Sequence, residues 1–193
     1  MISPKHLAAV LAVLQVQFLS ASDTGWFGKT PHPLREAPPI ELTDQDGNPF
    51  RLADQRGNAV LVAFGFTCCP NICPLMLSQL AAARRKLPED QRRLAKVVFI
   101  SVDDRDTAQS LAEYLPLFDG DFTGLTGTPE AISSVVRSYG GFFRDAPGGE
   151  LIDHSTDVYL IDPQGRLRAL FSRGQLSETA RIAADISRVL ENP

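Results

Sequence analysis

The residues of this chain best suited to chemistry crowd into one short stretch. Cys68, Cys69 and Cys73 are the only cysteines, and all three lie in Thr67-Cys68-Cys69-Pro70-Asn71-Ile72-Cys73-Pro74. A disulfide scaffold spreads its cysteines to staple distant segments, whereas a cluster points to redox chemistry or metal ligation. Two cysteines four apart on a helix or tight turn share one face, about 5–6 Å apart at Cβ. That separation needs only modest adjustment for a disulfide, and it also lets both sulfurs reach one metal. Pro74 fits the first position of a helix, which would place Cys73 at the cap. Backbone N–H groups and the helix dipole there favour thiolate, the form that binds metal and attacks disulfides.

His154 is the other candidate, in Ile152-Asp153-His154-Ser155-Thr156 just ahead of the apolar stretch Asp157 to Ile161. The loop entering this strand is expected to face the cysteine turn across the sheet. Two thiolates and one imidazole then make a soft, three-donor set suited to copper, and to Cu(I) especially. A structural zinc site normally needs four ligands, and only three are visible. His6 lies just ahead of the amino-terminal apolar segment and His32 in a proline-rich stretch, so neither is expected to bind metal. Thiol–disulfide exchange by Cys69 and Cys73, one attacking and the other resolving, stays open beside metal binding. A peroxidase is a poorer fit, because its reactive cysteine follows a threonine by three residues and Asn71 and Pro70 stand near that place.

Several elements must position these groups. Ala59 to Phe66 (AVLVAFGF) and Lys96 to Val102 (KVVFISV) are continuous apolar runs that read as strands buried on both faces. The cysteine cluster follows the first of them directly. Met76, Leu80, Ala83 and Leu87 then repeat at helical spacing until Pro88. Helices are expected from Thr107 to Leu115, from Thr128-Pro129-Glu130 onward, and after Ser177 as cap. Phe122 to Thr126 could add a short strand. Asp162-Pro163-Gln164-Gly165 suits a type I turn between the strands Asp157 to Ile161 and Arg166 to Phe171. The predicted class is α/β, a thioredoxin-like central mixed sheet with helices on both faces and an amino-terminal β-hairpin extension around Asp44-Gln45-Asp46-Gly47.

The 193 residues suffice for one domain and a short extension. A hydrophobic share of 44% allows an ordinary core. The formal net charge of −4 gives no electrostatic support for nucleic-acid binding. Lys5 and His6 precede an apolar run from Leu7 to Leu19, and Ser20, Ala21 and Ser22 offer a cleavage site. Residues 1–22 are therefore expected to be a signal peptide or membrane anchor, with a short amphipathic helix as the alternative. Residues 23–39, with Pro31, Pro33, Pro38 and Pro39, read as a linker, and 40–193 as the domain. A bacterial periplasm, or the outer face of the inner membrane, fits this layout, with membrane association through the amino terminus.

FGFTCCPNICPLMLSQL resembles the Sco/SenC pattern of strand, Thr-x-Cys-Pro-x-x-Cys-Pro and helix. SVDDRDT, FTGLTGTPE and DHSTDVYLIDPQGRLRALF match further motifs of that family in order, so the resemblance runs from about Ile40 to Leu190. It implies a thioredoxin-like copper metallochaperone binding Cu(I) or Cu(II), with Cys69, Cys73 and His154 as the metal ligands. The implied acceptor is the dinuclear copper (CuA) domain of cytochrome c oxidase subunit II, or another copper protein, and a periplasmic donor would load it. Some members act instead as disulfide reductases on such partners, using the same Cys69 and Cys73. Cys68 stands where many relatives carry a non-thiol residue, and alternation along an extended segment would point it away from the site. SVDDRDT is one residue shorter than the common Asp-Pro-x-Arg-Asp form, so the resemblance assigns no role to Asp103, Asp104 or Asp106.

Overall fold

The computed structural model describes residues 25–145 and 152–192; the expected leader at residues 1–22 lies outside them. Among the described residues are ten strands, β1 (Arg35–Glu36), β2 (Glu41–Asp44), β3 (Pro49–Arg51), β4 (Ala59–Gly65), β5 (Ala95–Ser101), β6 (Thr123–Thr126), β7 (Phe143–Asp145), β8 (Ile152–His154), β9 (Val158–Ile161) and β10 (Arg166–Phe171). The helices are α1 (Ile72–Arg85), α2 (Glu89–Leu94), α3 (Ala108–Tyr114), α4 (Pro129–Ser138) and α5 (Thr179–Glu191).

The main sheet has the order β1-β10-β9-β4-β5-β6-β2-β3. β4, β5 and β6 run parallel, while β9 lies antiparallel to β4 and β2 antiparallel to β6. The sheet is thus mixed, as the thioredoxin-like reading requires, and β2 and β3 form the expected hairpin at one edge. Every residue of β4 is buried. Nothing but a cover on both faces can bury successive side chains of a strand, since they point to opposite sides. Met76, Leu80 and Ala83 of α1 and Ile182, Ile186 and Val189 of α5 supply apolar cover, and these two helices pack against each other.

Local chemistry explains most boundaries. Thr107 caps α3 through the Ser110 N–H at 3.1 Å, and Thr128 caps α4 through the Ala131 N–H at 3.3 Å. Gly165 takes φ +79° to close the β9–β10 turn, where its N–H donates to the Asp162 carbonyl at 2.7 Å. Two details differ from the sequence reading. Pro88 ends α1 but serves as the N-cap position of α2, whose Glu89 and Asp90 suit a helix start and Arg92 and Arg93 its end. α5 begins at Thr179 with Glu178 as its N-cap, and Ser177 stands one residue outside.

The proline-rich stretch also attaches to the sheet. Lys29 exchanges backbone hydrogen bonds with Leu170 at 2.9 Å, and β1 pairs with β10. The strap satisfies an edge that β10 would otherwise expose. Its aromatic residues fasten it. The guanidiniums of Arg168 and Arg188 stand 5.4 and 5.0 Å from the ring centre of Trp26, and that of Arg181 stands 4.1 Å from that of Phe27. The carboxylate of Asp185 on α5 accepts from the backbone N–H groups of Phe27 at 3.0 Å and Gly28 at 2.8 Å.

Asp185→Ala leaves those two donors without an acceptor, a cost of about 1–3 kcal/mol. The expected result is a lowered midpoint in calorimetry and faster proteolytic cleavage before Lys29.

Candidate metal centre

β4 ends at Gly65, and the chain must turn sharply to enter α1. The Cys69 N–H donates to the Phe66 carbonyl at 3.4 Å, closing a turn over residues 66–69. Asn71 takes the N-cap position. Cys73 is therefore the second residue of the helix rather than its cap, and Pro74 falls third, where its missing N–H still breaks no helical bond. This shift gives Cys73 a function the cap position would not. Its free backbone N–H points at Cys69 and donates to Cys69 Sγ at 3.4 Å.

His154 arrives from the far end of the sequence on β8, a short strand paired with β7 through Phe143↔His154. The sequence reading placed it in a loop; the observed pairing fixes its backbone. Nδ1 lies 2.8 Å from the Ser155 carbonyl, which accepts from it, and this turns Nε2 toward the sulfurs. Nε2 stands 3.6 Å from Cys73 Sγ. The edge-to-face contact of the imidazole with Phe66, at 5.7 Å and 80°, holds the ring plane. The donor atoms of Cys69, Cys73 and His154 all lie within 4.8 Å of one another. The three residues singled out from the sequence thus meet at one point.

Cys68 does not join them. It is exposed, whereas Cys69 and Cys73 are buried. His32 is likewise outside the group, which among the described residues is the only set of three or more metal-binding side chains close enough to share an ion.

The two sulfurs differ electrically. The thiol of Cys69 is held well below the ordinary range, chiefly by the Cys73 S–H, with further help from His154 and the backbone N–H groups of Asn71 and Cys73. Burial opposes this but does not win. The Cys73 thiol is pushed up, first by donating to Cys69 and then by burial, with the nearby negative charge of Asp106 adding to it. Cys69 is thus the sulfur of the pair that ionises first. A soft cation binding both sulfurs would displace the remaining thiol proton.

Some contributors carry no metal-binding signature in the sequence. A Cβ on Gly65 would stand 2.7 Å from Cys73 Sγ and 2.6 Å from the Phe99 ring, so the sulfur occupies the space a side chain would fill. Within the run AVLVAFG this glycine reads only as a weak strand residue; its need appears once α1 is laid across β4. Arg173 and Asp153 line the open side of the centre with Pro70 and Ile72, and Asp153 pairs with Arg144 at 3.2 Å.

Gly65→Ala is expected to displace Cys73 or Phe99 and to lower metal retention at least tenfold, measured by equilibrium dialysis. Alkylation gives a test of the thiolate. Because the Cys69 pKa is lowered, its reactive form persists as pH falls and disappears only below the shifted value. In Cys68→Ser protein, iodoacetamide should modify Cys69 at nearly constant rate from pH 8 to pH 6, while a free thiol slows about tenfold per unit.

A family model described as SCO1/SenC matches residues 29–191. A mouse protein, SCO2 homolog, mitochondrial, is 38% identical over 145 residues, or 72% of this chain and 57% of that protein. This chain therefore spans little more than half of that relative. Among solved structures, apo Sco1 from Thermus thermophilus superposes with a TM-score of 0.78 at 32% identity, covering 86% of this chain and 97% of that one. Bradyrhizobium japonicum ScoI with copper bound gives 0.71 at 33% identity, covering 80% and 99%. With the motifs, the sheet order and the matched span in agreement, the chain belongs to the SCO1/SenC family.

Proposed function

We propose that this protein carries copper as cargo, held by Cys69 Sγ, Cys73 Sγ and His154 Nε2. The observation that carries the reading is the approach of those donor atoms to within 4.8 Å of one another. Two sulfurs and one imidazole nitrogen match the softness and low coordination number of Cu(I). Zinc would lack a fourth protein donor. Copper-bound structures of relatives, including that from Bradyrhizobium japonicum, support the choice of metal.

The delivery target is read as the CuA site of cytochrome c oxidase subunit II, with a periplasmic donor upstream. The apolar leader at residues 7–19 supports export, as does the likeness to a SCO1/SenC family lipoprotein from Bacillus anthracis, 25% identical with a TM-score of 0.71. Among the described residues no helix is long and apolar enough to cross a membrane. Transfer proceeds by ligand exchange. Cys69 sits in the turn at the open side, so an acceptor thiolate can replace it while Cys73 and His154 still hold the ion.

A second reading has its own support in the unequal sulfurs. The Cys69 thiolate attacks a partner disulfide, forming a mixed disulfide and expelling one partner thiolate. Cys73 then gives up its proton and displaces the second partner sulfur. Cys69 and Cys73 end as a disulfide, and the partner holds two thiols, a balanced two-electron exchange. His154 takes no covalent part in it.

Metal analysis of the purified domain separates the two. Wild type and Cys68→Ala should each retain one copper per chain, whereas Cys69→Ala, Cys73→Ala and His154→Ala should retain less than a tenth of that. Reconstitution with Cu(II) should add thiolate-to-copper charge-transfer absorption. Full reductase activity in His154→Ala, with wild type unable to retain copper, would favour the dithiol enzyme.

A further inference from the structure

Of the three donors, Cys69 has the least secondary structure around it. Cys73 is built into α1 and His154 into a strand pair, but Cys69 stands in a four-residue turn between β4 and α1. Something other than a helix or ladder must fix that turn. The candidate is Asp106, a buried carboxylate reached by the tight turn that follows β5 and 7% exposed. Its Oδ2 accepts from the Thr67 backbone N–H at 2.9 Å and from the Ser101 hydroxyl at 2.6 Å, and its Oδ1 accepts from the Thr67 hydroxyl at 2.5 Å. Two of these bonds seize the residue where the chain leaves β4. The third ties the carboxylate to the end of β5, itself locked to β4 by the bond from the Val102 N–H to the Gly65 carbonyl at 2.8 Å.

We propose that Asp106 is a positioning residue for the metal-binding turn, holding Cys69 in register with Cys73 and His154 through Thr67. This rests on the copper reading for its functional meaning, though the brace itself is a property of the apoprotein. The chemistry requires a carboxylate. Both oxygens serve only as acceptors and face only donors, and an amide of the same shape would turn an N–H₂ group toward one of them. Burial raises the cost of that mismatch. The requirement on Thr67 is as specific: its hydroxyl donates, so serine can replace it and valine, of the same shape, cannot.

The test uses wild type, Asp106→Asn, Thr67→Val and Thr67→Ser. Cu(I) affinity is measured by competition with bathocuproine disulfonate, and amide hydrogen exchange is followed in the reduced apoproteins. The expected result is affinity lowered about tenfold or more in Asp106→Asn and Thr67→Val, with Thr67→Ser within about threefold of wild type. In the same two weakened variants the Thr67 amide and its neighbours to Cys69 should exchange at least tenfold faster, while β4 and β5 keep their protection. Wild-type affinity in Asp106→Asn or in Thr67→Val would overturn the proposal. So would loss of protection throughout β4 and β5, which marks general destabilisation. If wild type itself binds no Cu(I), the copper reading fails; unchanged Thr67 exchange in both variants would separately dismiss the brace.

Discussion

The antiparallel pairing of β4 with β9 is the constraint on which the centre depends. Its register sets Ala63 opposite Val158, so the carboxyl end of one strand adjoins the amino end of the other. The cysteine turn leaves from the first of these ends and His154 precedes the second. A slip of one residue would send every side chain of β9 to the opposite face. Four successive buried residues on β9, Val158 to Ile161, make such a slip costly. The same apolar packing that stabilises the sheet therefore delivers an imidazole to a pair of sulfurs 81 and 85 positions away in the chain.

Within the centre, rigidity is unequally shared. Cys73 is fully buried against Phe99 and the bare backbone of Gly65, and it lies in the first turn of α1. His154 is held by a ladder, by the Ser155 carbonyl and by the Phe66 edge. Cys69 has neither helix nor ladder: its turn is held at Thr67 by Asp106, and its sulfur by the hydrogen bond from the Cys73 N–H. In the proposed ligand exchange, Cys73 and His154 hold the ion while Cys69, which lines the open side, is the donor replaced. The helix N-terminus contributes twice, by polarising the sulfurs and by lending one of its otherwise unused N–H groups.

Away from the centre, buried polar groups knit the layers together. Arg84, 1% exposed, donates to the carbonyls of Ala95 at 2.8 Å and Arg92 at 3.2 Å and pairs with Asp119 and Asp121. It joins α1 to the start of β5 and to the turn before β6. A guanidinium so buried is tolerated because its donors are met. In the sequence it reads as one of two adjacent basic residues at a helix end, which gives no hint that Arg84 turns inward while Arg85 is exposed. The amino-terminal strap is similar. Its prolines announce an extended chain correctly, but nothing local says that Trp26 and Phe27 dock on α5 and that β1 extends the sheet.

The sequence by itself determined the elements and the identity of the donors. Apolar runs, caps and the Asp162–Gly165 turn act over a few residues, so their effect is legible without a partner, and cysteine and histidine declare their chemistry by type. Ordered motifs also led to the family. Tertiary structure decided which donors meet, why Cys68 does not, and why Gly65 and Asp106 matter at all. Those outcomes rest on contacts between segments far apart in the chain: a sulfur lodged where a side chain is missing, a carboxylate reaching back across two strand ends. Spacing along one chain cannot encode such distances, because they are set by how the layers pack.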